Sequence, residues 1–329
     1  MAQRHLLLLL CLIAMRATAQ DPQLSQFYAA PMYLNPALTG NTHQDRVSMN
    51  NRLQWLGTGK GYRTYALSYD HRTKSNSSIG GMVMHDRAGA FQLAFTQVSI
   101  SYAYEARINR RSGFRGGMRL GYTMRSVDPS NLLFADQVIR ESSNSIEPMI
   151  IDRVSYFDAS AGLLYFSEKF WAGVSMSHLN EPQQSLSIAG DVALPMRTSV
   201  HSGYRFAVDG RNFRVSETLM TLAMQYKMQA KWDQLDIGGY VEHRNLILGL
   251  WYRGLPGIKS YDAGYSNDDA VILMAGFELN NQLQFVYSYD ITVSTLTARS
   301  GGAHEMSLIY EWPRKGKNRR HRSVPCPKF

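Results

Sequence analysis

Apolar and polar side chains alternate with a period of two along residues 270–279 and again along residues 283–290. Such alternation over about ten residues indicates β-strands, and the polar pair Asn280-Asn281 between the two stretches predicts a hairpin. Strands of this length can cross a bilayer when they are tilted. In that arrangement Leu273 faces lipid and Ile272 faces the lumen, so an arginine should be tolerated better at Ile272. The strands of a soluble β-sandwich alternate in the same way. One hairpin therefore does not distinguish a sandwich from a membrane-spanning barrel, and the number of times that the pattern recurs is needed.

The pattern recurs about fourteen times between residues 45 and 311. The predicted strands lie near residues 45–55, 62–71, 78–86, 97–108, 115–127, 155–167, 170–179, 199–208, 218–227, 234–243, 246–253, 270–279, 283–290 and 304–311. No stretch after the N-terminus reaches eighteen consecutive apolar residues, the length typical of a membrane-spanning helix. A membrane protein without such helices has to be a closed barrel, because only helices and barrels pair all of their backbone groups within lipid. The sequence therefore predicts an all-β fold, a transmembrane antiparallel β-barrel of about 14 strands.

The connections between the predicted strands support this reading. Short turns and long loops alternate along the chain, as in bacterial outer-membrane barrels with short periplasmic turns and long external loops. The short turns lie at 109–113, 168–169, 244–245 and 280–281, and the long loops at 128–154, 180–198, 254–269 and 291–303. An even strand count then predicts that both termini are periplasmic.

The N-terminus predicts export. Residues 1–19 combine a basic start at Arg4, an apolar core from Leu6 to Ala14, and a small-x-small cleavage site at Ala17-Thr18-Ala19. The proline-containing stretch that follows shows no sustained period and is a candidate for a plug. We therefore divide the chain into a signal peptide (1–19), an N-terminal plug or docking segment (20–44), an outer-membrane β-barrel (45–311) and a basic periplasmic tail (312–329).

The positive charge is concentrated at the C-terminus. The formal net charge is +9, yet residues 314–329 alone contain seven basic and no acidic residues. A solvated, disordered tail is one reading of this stretch, and contact with an acidic partner is the other. Export argues against a nucleic-acid partner. If residues 1–19 are removed, Cys326 is the only remaining cysteine, so no internal disulfide is possible.

Charges of both signs fall on the inward face of the predicted strands. Near-balanced charge in a confined interior favours ion pairs that brace the wall, whereas an ion-selective pore usually carries one sign. The inward set is Arg46, Arg52, Arg107, Arg119, Arg125, Arg205 and Arg253, with Asp70, Glu105, Asp158, Asp236, Glu242, Glu278, Asp290 and Glu305.

No residue pattern indicates catalysis or a cofactor. The histidines lie on separate predicted strands without metal-ligand spacing, and no motif marks a nucleophilic serine. His304-Glu305 resembles a catalytic pair only in isolation, and Asp268-Asp269 lacks the register of a calcium loop. We expect no enzyme activity, no metal and no cofactor.

Several short motifs follow one another along about 300 residues, and their order resembles that of one family. They are Asp21-Pro22-Gln23, Gln26, Pro31, Asn35-Pro36-Ala37, Gly40, Arg52, Gln54-Trp55, Tyr62, Ser68-Tyr69-Asp70, Asp86, Gly89, Ser101-Tyr102-Ala103-Tyr104, Asp158, Gly162, Gly173, Ser175, His178, Gly249, Trp251-Tyr252-Arg253, Ser288-Tyr289-Asp290, His304-Glu305 and Cys326-Pro327-Lys328-Phe329. The chain is identified by this order as similar to the PorP/SprF family of Bacteroidota outer-membrane proteins, which is tied to type IX secretion and gliding motility.

The resemblance implies a non-catalytic barrel that works beside other type IX secretion components. It also implies a role in the export or surface attachment of large adhesins. The expected partners are those components, a secreted adhesin and the lipid bilayer, and no nucleic acid. The residues assigned to partner contact are Gln26, Pro31, Asn35, Pro36, Arg319, Arg320, Arg322, Cys326, Pro327 and Phe329. The alternative is a transporter of small hydrophobic solutes similar to the long-chain fatty-acid channels.

Overall fold

Fourteen antiparallel strands form one closed sheet in the computed structural model. The structure describes residues 21–42, 45–58, 61–73, 75–89, 92–109, 111–128, 140, 153–186, 191–209, 216–255, 268–280, 282–293 and 301–312. The strands are β1 (Asp45–Gln54), β2 (Tyr62–Arg72), β3 (Ser77–Ala88), β4 (Leu93–Arg107), β5 (Gly113–Ser126), β6 (Arg153–Phe166), β7 (Phe170–Ser177), β8 (Arg197–Ala207), β9 (Thr218–Gln229), β10 (Trp232–His243), β11 (Leu246–Gly254), β12 (Asp268–Leu279), β13 (Leu283–Thr292) and β14 (Ala303–Glu311). Short helical turns lie at Phe27–Ala29, Pro31–Leu34, Pro36–Leu38 and Leu56–Thr58.

Each strand pairs with its neighbours in sequence, and β1 pairs with β14 to close the barrel. In the closing pair Arg46 lies opposite Glu311 and Gln54 lies opposite Ala303. The predicted all-β barrel of about 14 strands is therefore confirmed, with strand ends within a few residues of the predicted ones. None of the helices in the described ranges is long and apolar enough to span a membrane.

The two faces of the wall differ as the alternation predicts. On β12, Leu273 is 48% exposed on the outer face, whereas Ile272 is 2% exposed on the inner face. Aromatic side chains lie at both ends of the outer face: Trp55 packs edge-on against Tyr62 at one end, and Trp312 packs against Tyr310 at the other. An apolar outer band between aromatic rims is typical of barrels that cross a bilayer.

The two ends of the barrel are different. We call the end at which β1 begins and β14 ends the tail rim, and the opposite end the loop rim. The predicted short turns all lie at the tail rim, and the predicted long loops all lie at the loop rim. The strand ends show three other connections that break this asymmetry. The one between β8 and β9 is longer at the tail rim, and those between β3 and β4 and between β9 and β10 are short at the loop rim.

Residues 21–42, which we call the inner segment, run through the lumen from the loop rim to the tail rim. Asp21 contacts His178 next to the loop-rim end of β7, whereas Thr42 accepts a hydrogen bond from Arg72 at the tail-rim end of β2. That both termini are periplasmic stays a prediction, because residues 1–20 and 313–329 lie outside the described residues. An even strand count places only Asp45 and Glu311 at the same rim, while the preceding segment crosses the barrel.

The lipid-facing register gives a depth-dependent prediction. We expect Leu273→Arg to cost about 2–4 kcal/mol, because it places a charge at the middle of the outer band. Leu279→Arg lies on the same face at the tail-rim end of β12 and should cost roughly 0–1 kcal/mol. Denaturant titration of the protein in vesicles measures both, and equal costs would show that the outer band is not lipid-embedded.

The predicted inward position of Ile272 is confirmed, whereas the prediction that Ile272→Arg is milder than Leu273→Arg stays untested. Ile272 packs in an apolar cluster with Phe27 of the inner segment and with Trp251. A buried charge at Ile272 has no partner in that cluster, so this substitution should also destabilise the protein.

Candidate functional site

The inner segment is held at the loop rim through its own backbone. Glu305 on β14 accepts the Ser25 N–H at 2.7 Å through Oε2 and the Gln26 N–H at 3.0 Å through Oε1. The Gln26 side chain donates to Ser288 Oγ at 2.9 Å and to the Glu305 carbonyl at 3.0 Å. The Glu305 carboxylate therefore caps two amides that would otherwise be buried without partners.

Two arginines and an aspartate surround the Ser25 hydroxyl. Arg52 on β1 and Arg253 on β11 donate to Ser25 Oγ at 2.5 and 2.7 Å, and Ser25 Oγ donates to Asp290 Oδ2 at 2.6 Å. Asp290 also pairs with Arg52 at 2.9 Å and with Arg253 at 3.0 Å. Each buried charge thus has an opposite charge beside it, which is the bracing that the balanced interior predicted.

At the tail rim, arginines bind main-chain carbonyls of the inner segment. Arg115 on β5 donates to the Ala37 carbonyl at 2.8 Å and to the Thr39 carbonyl. The same guanidinium pairs with Glu105 at 3.0 Å, and Arg72 pairs with Glu105 at 2.5 Å. Side chains of the wall therefore form hydrogen bonds with the backbone of the inner segment at residues that are not paired with a β-strand.

At the same rim, Asp70 accepts a hydrogen bond from a backbone N–H of the inner segment, whereas Arg115 donates to its carbonyls. Its Oδ2 accepts the Gly40 N–H at 2.6 Å, and its carboxylate pairs with Arg46 at 2.7 Å. Gly40 has a φ of +63°, which favours glycine at the turn before β1. Asp70 thus holds the last turn of the inner segment in place.

Asn35 anchors the middle of the inner segment. Its side-chain amide donates to the carbonyls of Leu163 and Val174, each at 3.2 Å, on β6 and β7. Its Oδ1 accepts the Ala37 N–H at 2.9 Å. One buried side chain therefore joins two strands of the wall to the helical turn that begins at Pro36.

Three glycines of the wall make room for this anchor. A Cβ on Gly162 would lie 2.0 Å from Asn35 Oδ1, and a Cβ on Gly173 would lie 3.0 Å from Asn35 Nδ2. On β5, a Cβ on Gly117 would lie 2.3 Å from both the Ala37 nitrogen and the Pro36 carbonyl carbon. The wall and the segment are closely fitted, since any larger side chain would occupy the space of the segment.

The apolar part of the lumen is covered by the inner segment. The Phe27 ring packs edge-on against Trp251 at 5.1 Å, and the Tyr28 ring stacks on Trp251 at 6.0 Å and lies 6.1 Å from Tyr240. The Tyr28 hydroxyl also contacts the sulfur of Met274. These apolar wall residues therefore contact protein side chains in this structure.

Asp21 forms a charge cluster at the loop rim. Its Oδ2 lies 2.7 Å from His178 Nε2 and 2.7 Å from an Arg197 nitrogen, and His178 Nδ1 lies 2.9 Å from Asp158. Burial opposes ionisation of Asp21, but His178 and Arg197 outweigh it and hold the pKa of Asp21 well below its usual range. Burial also opposes protonation of His178, but the two aspartates raise its pKa to about 9.

These shifts set the pH range in which the cluster stabilises the fold. Because the raised pKa favours the charged imidazole, its stabilising contribution is complete below the ordinary histidine value of about 6.5. The contribution is lost as the pH rises through about 9. The cluster is therefore intact at neutral pH.

The residues assigned to partner contact fall into two groups. Gln26, Pro31, Asn35 and Pro36 are buried inside the barrel, where they contact its wall. A partner would reach them only after the inner segment leaves the lumen, so their role in partner contact stays a prediction. The others, Arg319, Arg320, Arg322, Cys326, Pro327 and Phe329, lie outside the described residues, as does the predicted signal peptide.

Most of the predicted inward charges are buried as expected, with differences at the rims. Arg107 is exposed at the tail rim, although it still pairs with Glu105 at 2.9 Å. The prediction omitted Arg72, Arg115 and Arg197, which all contact the inner segment. Strand alternation could have found them, since each has the same parity as a residue already placed inward.

The structure separates the apparent catalytic pair. Glu305 points into the lumen, whereas His304 lies on the outer face with Tyr287 and Tyr289. Neighbouring residues of a strand face opposite sides, so the two side chains cannot act together. Within the described ranges, no group of three or more His, Cys, Asp or Glu side chains is placed to hold a metal ion.

The fold and its lipid-facing band define an outer-membrane β-barrel. A family model described as "Type IX secretion system membrane protein PorP/SprF" matches residues 17–310. The chain therefore belongs to the PorP/SprF family of the type IX secretion system, as its motif order indicated. A comparison with curated proteins finds no match.

Solved structures share the barrel architecture at very low sequence identity. The toluene transporter TbuX of Ralstonia pickettii matches with a TM-score of 0.49 and 8% identity, over 86% of this chain and 92% of that one. The monoaromatic hydrocarbon channel CymD gives a TM-score of 0.48 and 11% identity, over 86% and 93%. Omp33 of Acinetobacter baumannii gives 0.44 and 7%, over 83% and 100%. These similarities concern the fold alone.

Proposed function

We propose that this protein supports the export or cell-surface attachment of large, gliding-type adhesins as a component of the type IX secretion apparatus. It acts through protein–protein contacts and carries out no reaction of its own. Membership of the PorP/SprF family supports the association with secretion. The adhesin, the contacting components and the periplasmic position of the tail belong to the proposal.

The observation that carries this proposal over a transport role is the occupied lumen. The inner segment extends from one rim to the other, and the wall binds its backbone at both ends through Glu305 and Arg115. Phe27 and Tyr28 cover the apolar part of the wall that a hydrophobic solute would need. A barrel filled in this way is suited to present its rims and tail to partners.

The transporter alternative makes a different prediction. Small hydrophobic solutes would have to displace Phe27 and Tyr28 from Trp251. Quenching of Trp251 fluorescence by an added brominated hydrocarbon would then require movement of the inner segment. Saturable quenching in vesicles that contain this protein, absent in Trp251→Leu, would support transport instead of the proposed contacts.

The basic tail provides the test of the proposed function. We expect deletion of residues 323–329 to leave an inserted barrel but to abolish adhesin export or surface display. Replacing Arg319, Arg320 and Arg322 with glutamine should weaken association in a salt-dependent way, since exposed charges act over roughly 8 Å at physiological salt. The measurements are surface adhesin levels and co-purification from solubilised outer membrane at increasing salt.

Two cations at the tail rim serve as the matched control. Arg111 and Arg244 are exposed there, with side chains 76% and 69% accessible. Their replacement by glutamine removes charge from the same rim and should leave export unchanged. Export at the normal level in the deletion strain would contradict the proposal, whereas loss of the barrel from the membrane would show that the tail is an assembly signal.

A further inference from the structure

The connection between β7 and β8 forms a hairpin at the loop rim. We call residues 178–186 and 191–196 the rim hairpin. Gln183 and Ala193 form an antiparallel bridge, and the Gln184 N–H donates to the Val192 carbonyl at 3.0 Å. The hairpin begins at His178, whose φ of +60° turns the chain away from the course of β7.

The rim hairpin packs back onto the barrel. The Gln184 side chain accepts a hydrogen bond from Arg125 near the loop-rim end of β5, and Leu194 is 3% exposed. Asn180 donates to the Phe157 carbonyl at 2.8 Å and accepts the Ala159 N–H at 3.0 Å on β6. The hairpin therefore has a defined position and is held by several separate contacts.

Asp21 binds the first residue of the rim hairpin and the first residue of β8, which follows the hairpin. His178 is the first residue of the hairpin, and Arg197 follows its last residue, Met196. One oxygen of Asp21 lies 2.7 Å from His178 and 2.7 Å from Arg197. Arg197 also donates to the Tyr33 hydroxyl at 2.8 Å, and Tyr33 donates to the Pro22 carbonyl at 2.5 Å. The hairpin and the inner segment thus share one small set of buried contacts.

These contacts connect two elements that have otherwise separate supports. After Asp21 in the chain, the inner segment is held by Glu305, Arg115 and the glycine-lined wall. The rim hairpin is held separately, by hydrogen bonds to β5 and β6. Moving the inner segment away breaks the contacts of Asp21 with both His178 and Arg197, and moving the hairpin away breaks the contact with His178. Charge-assisted hydrogen bonds of this kind are stronger than neutral ones.

We propose that Asp21 is a positioning residue that couples the rim hairpin to the inner segment. A partner that displaces the hairpin at the loop rim thereby loosens the inner segment in the lumen, and release of the segment frees the hairpin. Coupling of this kind is reciprocal, because each element changes the equilibrium of the other by the same factor. The proposal stands independently of the secretion role.

Two cysteine reporters on opposite sides of Asp21 test the coupling. Leu24→Cys reports on the inner segment and Leu194→Cys on the rim hairpin, since the native side chains are 2% and 3% exposed. Each is introduced into protein that also carries Cys11→Ser and Cys326→Ser, so that the reporter is its only thiol. The rate of modification by a membrane-impermeant maleimide is then measured in detergent.

We expect Asp21→Asn to raise the labelling rate at both reporters by about 5–150-fold, the usual range for coupled sites. Glu181→Gln changes an exposed carboxylate of the same hairpin and should leave both rates unchanged. Gln184→Ala should loosen the hairpin and thereby raise labelling at Leu24→Cys. In the Asp21→Asn background it should have no further effect there, because the connection is already broken.

Faster labelling at Leu24→Cys with an unchanged rate at Leu194→Cys would overturn the proposal, since the segment would then open without the hairpin. Heat-modified gel mobility confirms that each variant remains a folded barrel. If Asp21→Asn does not fold, His178→Asn replaces it. Asparagine accepts the left-handed backbone but cannot carry the charge, so the same pattern at the two reporters is expected.

Discussion

Glu305→Ala is expected to destabilise the barrel by about 3–5 kcal/mol, the cost of removing one partner from a buried ion pair. The loss leaves the amides of Ser25 and Gln26 without acceptors, and it removes one of the two carboxylates that balance Arg52. Glu305 is 0% exposed, so water cannot take its place without rearrangement. Denaturant titration in vesicles, followed by heat-modified gel mobility, measures the change.

Two further variants identify the source of this effect. Glu305→Gln should recover only part of the stability, because all three partners of the carboxylate are donors and the amide NH₂ has to face one of them. The double variant Arg52→Met with Glu305→Leu should cost less than the sum of the single changes, since it leaves neither charge unpaired. Strict additivity would mean that Glu305 and Arg52 do not interact energetically.

Gly117→Ala should displace the inner segment while the barrel stays closed. The added Cβ would lie 2.3 Å from backbone atoms of Pro36 and Ala37, which cannot rotate away as a flexible side chain could. We expect the middle of the segment to move off the wall and Arg115 to lose its hydrogen bond to the Ala37 carbonyl. Maleimide labelling of Met32→Cys, at a side chain that is 0% exposed in the native protein, should rise at least tenfold, a factor that corresponds to about 1.4 kcal/mol.

The neighbouring glycine is the control for Gly117. Gly116 faces outward on the same strand, and a Cβ there would meet only Leu163 Cδ2, at the ordinary distance of 3.6 Å. Gly116→Ala should therefore leave both labelling and stability unchanged. Both substitutions reduce the backbone freedom of the unfolded chain in the same way. If Gly116→Ala and Gly117→Ala changed labelling equally, the cause would be strand conformation and not the contact with Pro36 and Ala37.

The strands, their faces and their order could be read from the sequence because each depends on local pattern. On β12 the alternation separates Leu273 from Ile272, and the structure places them on opposite faces. The inward arginines were also readable, because parity along a strand fixes the side of the wall. Arg115 follows from the same rule that identified Arg119, as both lie on β5 with an even spacing.

The environment of the inward positions could not be read in this way. An inward residue meets water in an empty barrel and protein in a filled one, and alternation is identical in the two cases. Ile272 shows the difference, since it faces inward as predicted and yet packs in an apolar cluster with Phe27. The family motif around Asn35 marked the segment as important without showing that it lies against Gly162 and Gly173.

The sequence by itself determined a fourteen-stranded barrel with a charged interior and an apolar outer band, because a period of two is a property of each strand alone. Only the tertiary structure decided the course of residues 21–42 through the lumen. That course depends on contacts between residues far apart in the chain, such as Ser25 with Glu305 and Asp21 with His178. Such contacts leave no periodic signal, because the proline-containing segment binds the wall through single carbonyls, amides and charges rather than through a repeating face.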